Sequence, residues 1–454
     1  MTPMRTRPGR IAVTIAITLV GLATSASAQQ TQTPRPERPY RGMFGGDVGE
    51  TEELLEVTGS TGIGWDLGNV LVLTDQNLAE PGGQGPYTLT NDSTKYGLFD
   101  AGVSYALVKR RLGVSTSAAT VGQYRPGFNP SLYNAYSAYA GATYQLSRSA
   151  RLRGELSVSI QPFNFLPLGP TITDAELGEA VVTDQIFRVS PGKNISRTGN
   201  LNFNRKLGRR SSLDVRYETT YYNSVNNTSN LTTRTGGARY STTLTKGLGI
   251  HAGYAYTRAH VDMDASATRY GEHNIDAGID LSRDLGPSRR THLTFSTGAA
   301  ALSANSRTRY YATADALLTR EIGRSWSASL AFRRGVDFDE QFREAFLTDS
   351  LTVGFGGLIT RRLQLHSSAS AILGHVGFGP GDNTYRSYNA GAGLTTALNR
   401  RMAISADYLY YSYGFGQQVL LPNNLFSQMG RHGVRVSLTA WVPVIAKRRS
   451  DASR

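Results

Sequence analysis

The sequence predicts an all-β protein: a single antiparallel transmembrane β-barrel of about eighteen strands, with sixteen as the main alternative. Three observations predict it. Apolar and polar residues alternate with period two in segment after segment, which gives each strand one oily and one wet face. The segments run about 10 to 15 residues, against a usual strand of about 5–6, and a tilted strand crosses a bilayer in about 9–11. The connections sort by parity, short after even-numbered segments and mostly longer after odd-numbered ones. That pattern belongs to a barrel with short periplasmic turns and longer extracellular loops.

Composition agrees. The chain has 454 residues, 39% hydrophobic and only 18% charged, with 49 Gly, 24 Tyr and no Cys. A disulfide framework, thiolate metal sites and a Cys nucleophile are excluded. Beyond residue 28 no run of 18 apolar residues exists, so no helix of the length that spans a bilayer is expected there. The net charge of +14 comes from 42 Arg and 6 Lys, scattered as short groups such as Arg209-Arg210 and Arg361-Arg362. A nucleic-acid surface would gather them on one helix or face, so no nucleic-acid partner is expected.

The N-terminus reads as an address. Arg5, Arg7 and Arg10 precede the apolar stretch from Ile11 to Ala23, and Ala26-Ser27-Ala28 follows. These are the three regions of a secretory signal peptide, which assigns residues 1–28 to it, with cleavage near Ala28. Residues 29–52 carry Pro34, Pro36 and Pro39 among Arg and Glu, an extended periplasmic leader. The barrel is assigned to 53–446 and a basic C-terminal tail to 447–454.

The strands are read in order. The first five are 53–66, 95–108, 112–124, 134–146 and 151–163; 112–124 is mostly small and polar, while 151–163 alternates cleanly through Leu152, Leu156, Val158 and Ile160. Next come 195–206, 211–223, 232–245, 248–260 and 269–283; Leu213, Val215 and Tyr217 oppose Asp214, Arg216 and Glu218. Then follow 291–303, 306–320, 325–337, 345–360, 363–377, 383–399 and 401–414. The last, 430–445, sets Val434, Val436, Leu438, Ala440 and Val442 against Arg435, Ser437 and Thr439.

Energy adds a check. A lipid-facing Arg or Lys at mid-bilayer costs about 2–4 kcal/mol in such barrels. Mid-strand charges should therefore face the lumen: Arg153, Glu155, Asp214, Arg216, Glu218, Asp276, Asp280, Asp315, Arg333, Asp407 and Arg435 all fall in the polar register. Glu56 and Asp100 do too, whereas Arg205, Arg234 and Arg334 sit in the lipid register near strand ends. Aromatic residues gather towards the long loops, among them Tyr221, Tyr254, Tyr256, Tyr310, Phe332, Tyr408 and Tyr410. Trp326 and Trp441 lie nearer the short turns. Girdles at both interfaces would have this distribution.

On these patterns the chain resembles bacterial outer-membrane β-barrel proteins over nearly all of 53–445. More narrowly, Arg41-Gly42-Met43-Phe44-Gly45-Gly46 and the run from Arg431-His432-Gly433-Val434-Arg435-Val436 to Trp441-Val442-Pro443 resemble a group of β-barrel porins. Some of those accompany exopolysaccharide export systems. The resemblance implies a Gram-negative outer membrane, with lipid and lipopolysaccharide, the barrel-assembly machinery and polysaccharide export components as partners. One departure stands out. Many barrels end on an aromatic residue that their assembly machinery reads, whereas Lys447-Arg448-Arg449 and a polar tail to Arg454 close this chain; the Trp441 region is the candidate substitute.

An eighteen-stranded barrel is wide enough for an aqueous lumen. The longest loop, 164–194, carries Asp174, Glu176, Glu179, Asp184 and Arg188, with Lys193 nearby. Folded inward it would form a charged constriction; the alternative is a solvated surface loop. Asp262 with Asp264, and Asp337 with Asp339 and Glu340, lack a full calcium-loop spacing. The seven His (His251, His260, His273, His292, His366, His375 and His432) form no metal motif. No cofactor, metal or catalytic residue is expected. The function read from the sequence is a passive pore or export conduit for polar solutes or polysaccharide. The alternatives are a barrel hydrolase with one His beside a Ser or Asp, and an adhesin or structural scaffold acting through 67–94 and 415–429.

Overall fold

The computed structural model describes residues 51–73, 87–91, 94–126, 132–163, 189–224, 229–263 apart from 246–247, 266–281, 291–304, 307–338 apart from 324, 345–377, 383–419 apart from 418, and 427–448. The described residues are strands and short turns, with no helix. In chain order the strands are β1 (Thr51–Leu73), β2 (Tyr87–Asn91), β3 (Thr94–Val108), β4 (Leu112–Tyr124), β5 (Leu132–Ser147), β6 (Ala150–Phe163), β7 (Val189–Lys206), β8 (Ser211–Ser224), β9 (Ser229–Thr245) and β10 (Leu248–Met263). They continue as β11 (Ser266–Leu281), β12 (Thr291–Ala304), β13 (Arg307–Ile322), β14 (Trp326–Asp337), β15 (Phe346–Leu358), β16 (Leu363–Val376), β17 (Thr384–Ala397), β18 (Met402–Phe415) and β19 (Gln428–Arg448).

Each strand from β3 to β19 pairs antiparallel with its sequence neighbour, and β1 pairs with both β3 and β19. The sheet therefore closes on itself through eighteen strands, which leaves the wall no free edge. The short β2 stands apart from that count. It pairs only with Asn69–Leu73 at the far end of β1, a hairpin within the stretch 67–94 whose sequence reads as a loop. The weakest sequence segment, 112–124, is a strand with those same limits.

Closure is uneven at one point. Pro443 has no N–H to donate, and the β1–β19 ladder slips there: Leu55 faces Ile445 whereas Glu56 faces Pro443. The last strand runs to Arg448, because the ladder continues through Glu53 opposite Lys447 and Thr51 opposite Arg448; Lys447 Nζ also donates to Glu53 Oε2 at 2.6 Å. The turn at Gly323 uses a positive φ of 68°, which favours a residue without Cβ.

The two faces of the wall differ sharply. Ile63, Leu156, Ile275 and Leu373 are 50–67% exposed on one face. Glu56, Asp66, Gln123 and Asp407 are at most 5% exposed on the other. Side chains on the convex side of a cylinder splay apart and those on the concave side crowd together. Burial of the polar set is what the concave side produces. The polar face is not polar throughout, however. Towards the long loops it carries two apolar clusters. One joins Phe346, Ile372, Val376, Tyr385, Tyr411, Tyr413 and Met429; the other joins Leu231, Ala259, Val261, Tyr270, Leu302, Ala304 and Ala345. Trp441 lies on the same face, 7% exposed against Ala397 and Ala403, and so is no member of an interfacial girdle.

Candidate functional site

Residues opposite one another in a ladder share a face, so register assigns the predicted wall charges. Glu155 faces Asn200 and Asn200 faces Glu218; Arg153 faces Asn202 and Asn202 faces Arg216. Asp214 faces Arg239, Arg239 faces Gly253 and Gly253 faces Asp276. Asp276 continues through Gly298, and its neighbour level runs through Ser296 to Asp315 and Arg333. Asp407 faces Arg435, which faces Gly64. All of these lie on the polar face. Asp280 belongs to the same register, two pleats from Asp276, though its side chain is outside the described set. Asp174, Glu176, Glu179, Asp184 and Arg188 lie outside the described residues, as do residues 1–50 and 449–454.

The charges are organised as groups of opposite sign. Arg153 Nε donates to Glu155 Oε1 at 2.8 Å, and Tyr139 Oη donates to the same oxygen at 2.7 Å. Asn202 Nδ2 donates to Asp214 Oδ1 at 2.8 Å. Arg333 and Asp315 stand 3.6 Å apart, both well exposed. Arg216 and Glu218 are exposed on the same face.

Two groups repeat one plan. In the first, Arg239 of β9 donates to Asp276 of β11 at 2.6 Å, with His251 Nε2 of β10 3.5 Å from the same carboxylate oxygen. In the second, His366 of β16 lies 3.1 Å from Asp407 of β18, whose other oxygen accepts from Arg435 Nε at 3.0 Å. Arg239–Asp276 and His366–Asp407 each reach across an intervening strand. They can do so because that strand presents glycine. A Cβ on Gly253 would strike Asp276, and one on Gly393 would strike both Asp407 and His366. Sequence reading found the carboxylates and arginines by register but not these groupings, since the glycine signal has meaning only once the ladder is known.

The obstacle differs at Gly298, where a Cβ would meet the backbone oxygen of Ile275. A backbone atom cannot swing aside. Gly298→Ala is therefore expected to cost about 1–3 kcal/mol in urea unfolding. Gly393→Ala should cost less, because only flexible tips must move, while separating His366 from Asp407. Similar losses at both positions would contradict this account.

A third cluster lies at the long-loop end. Asp66 of β1, 2% exposed, accepts from Arg125 Nη2 at 2.8 Å and from Arg431 of β19. Arg125 follows the last residue of β4 and stacks over Tyr96 at 5.2 Å. In the sequence it looks like an ordinary loop cation, with no local signal of its buried partner. On the apolar face, Tyr254 and Tyr256 embrace His273, and Tyr408 and Tyr410 embrace His432. The Tyr254 and Tyr408 hydroxyls share hydrogen bonds of 2.8 and 2.6 Å with the respective Nδ1 atoms. Among the described residues, no group of three or more His, Asp or Glu is placed to hold a metal ion.

A closed antiparallel cylinder with an apolar convex face and a charged concave one is the architecture of a membrane-spanning β-barrel. No protein-family model and no curated protein matches the chain. Among solved structures, it is similar to OccK2 (OpdF) of Pseudomonas aeruginosa in complex with glucuronate, at 10% identity and TM-score 0.42, covering 87% of this chain and 99% of that one. It is similar to the alcaligin outer-membrane receptor FauA of Bordetella pertussis, at 10% identity and TM-score 0.40, covering 87% and 76%. It is also similar to the ferric-catecholate import receptor Fiu of Escherichia coli, at 7% identity and TM-score 0.44, covering 90% and 82%.

Proposed function

We propose that this chain is an outer-membrane β-barrel forming a passive passage for polar solutes or polysaccharide, with the short turns in the periplasm and the longer loops outside. One observation carries the reading: charges such as Asp214, Arg239, Asp407 and Arg435 share the crowded concave face, while the large exposed apolar side chains share the convex one. A cylinder so divided is soluble in lipid on its outside and in water within. Carboxylates and guanidiniums of the wall then act as fixed charges along the path, favouring solutes that exchange hydration for hydrogen bonds with both signs.

Reconstitution into planar bilayers should give discrete conductance steps. Charge reversal at Asp315, which is exposed beside Arg333, should shift the reversal potential towards anions. A wall that inserts and folds but passes no current would remove the pore. The two His–Asp contacts favour a second reading, a barrel hydrolase. Ester or peptide turnover lost in His366→Ala and unaffected by blocking the current would establish it. In each contact the Asp also holds an Arg, which neutralises the carboxylate and weakens its use as a partner to a charging imidazole.

A further inference from the structure

Just beyond the aromatic residues of the convex face, towards the long loops, stands a group of cations. Arg234 of β9 and Arg258 of β10 are direct register partners, both exposed. Next to them His260 faces Arg269 of β11. Two strands back, the Arg197 guanidinium of β7 lies 5.9 Å from the Tyr221 ring centroid. Five adjacent strands thus present four guanidiniums outward. Asp262, near the tip of β10, is the one described carboxylate on this face of β7–β11.

Like charges placed directly opposite one another destabilise a sheet. Elsewhere the fold avoids this: outward Arg334 of β14 meets Asp349 of β15 at 3.2 Å. The Arg234–Arg258 pair has no such neighbour among the described residues. Its height is also informative. Each residue of a tilted strand adds about 2.5 Å along the barrel axis, from a rise of about 3.3 Å at a tilt of about 40°. Arg258 stands ten residues beyond Leu248, hence about 25 Å above the short-turn end, and the apolar band of such barrels is about 25 Å tall. The guanidiniums sit where hydrocarbon gives way to headgroups. Below them, Tyr254, Tyr256 and Tyr217 supply the aromatic shelf that marks this boundary.

We propose that Arg197, Arg234, Arg258 and Arg269 form a binding site for the phosphates of an anionic lipid in the leaflet around the long-loop end, best suited to a headgroup with more than one phosphate. Guanidiniums grip phosphate through paired donors, and an anion seated between Arg234 and Arg258 turns their repulsion into attraction. The inference rests on the membrane-spanning reading and on the convex face meeting lipid, but not on the pore being open.

The test is native mass spectrometry of the full chain in detergent, titrated with bisphosphoryl lipid A, monophosphoryl lipid A, phosphatidylcholine and inorganic phosphate. The wild type should retain bisphosphoryl lipid over monophosphoryl and phosphatidylcholine. R234Q/R258Q should lower that retention at least tenfold, and R234K/R258K should keep part of it. R205Q, an outward Arg at the short-turn end, should change nothing. Folding is checked by the heat-dependent gel shift. Equal retention of phosphatidylcholine, no loss in R234Q/R258Q, or a preference for inorganic phosphate over lipid would overturn the site. Should R234Q/R258Q not fold, the wild-type ranking of the lipids decides. Lipid binding by a barrel without conductance would sink the pore alone.

Discussion

Leu156→Arg is expected to cripple folding of the barrel, whereas Ser157→Arg, one residue along the same strand, is expected to be tolerated. Leu156 is the seventh residue of β6, 65% exposed on the convex face, opposite Ala140 and Gly199. Near the middle of the apolar band a guanidinium has no water to reach and no carboxylate beside it, and its cost is about 2–4 kcal/mol. Ser157 points the other way, onto the face that holds Arg153 and Glu155, and is itself exposed there. An added Arg enters the polar face two residues from Glu155, at a cost below about 1 kcal/mol. Urea unfolding in lipid vesicles, followed by the heat-dependent gel shift, measures both. Equal losses, or a larger loss at Ser157, would mean that the convex face does not meet hydrocarbon.

That experiment probes the part of the fold most legible in the sequence. Alternation gave the faces, because a strand has no choice about where successive side chains point, and residues such as Leu213, Val215 and Tyr217 declare it locally. Strand ends towards the short turns were equally legible, since basic pairs such as Arg209-Arg210 break the pattern. Ends towards the long loops were not. β7 begins at Val189 and β9 at Ser229, earlier than the alternation indicates, because beyond the membrane a strand is free to be polar on both faces. The same freedom hid the β1–β2 hairpin. The apolar clusters around Phe346 and Tyr385 were also hidden: the concave face was expected to be polar throughout, but where it meets the loops it packs an ordinary small core. The candidate site was legible residue by residue and not as groupings. Nothing local tells Arg125 that it will meet Asp66 from 59 positions away, or Gly393 that its missing Cβ lets His366 reach Asp407.

Asp66→Ala is expected to be the most damaging single change at the seam. The barrel closes where the first strand meets the last, and an ion pair pins each end of that ladder: Glu53–Lys447 near the short turns and Asp66–Arg431 near the long loops. The two pairs are physically unlike. Lys447 is 71% exposed, so its pair is screened by water and Glu53→Gln should cost far less than Asp66→Ala. Asp66 is buried between two guanidiniums, with the Arg125 side chain 3% exposed. Removing the carboxylate leaves the buried Arg125 beside the partly exposed Arg431 without the oxygen that both bind, a loss of about 3–5 kcal/mol. Because most of that loss is the cations' desolvation and mutual repulsion, it should be recoverable without any charge. Asp66→Leu combined with Arg125→Met and Arg431→Met, which restores apolar volume, should regain most of the stability. A small effect of Asp66→Ala in urea unfolding, or no recovery in the triple variant, would show that backbone pairing alone holds β1 against β19.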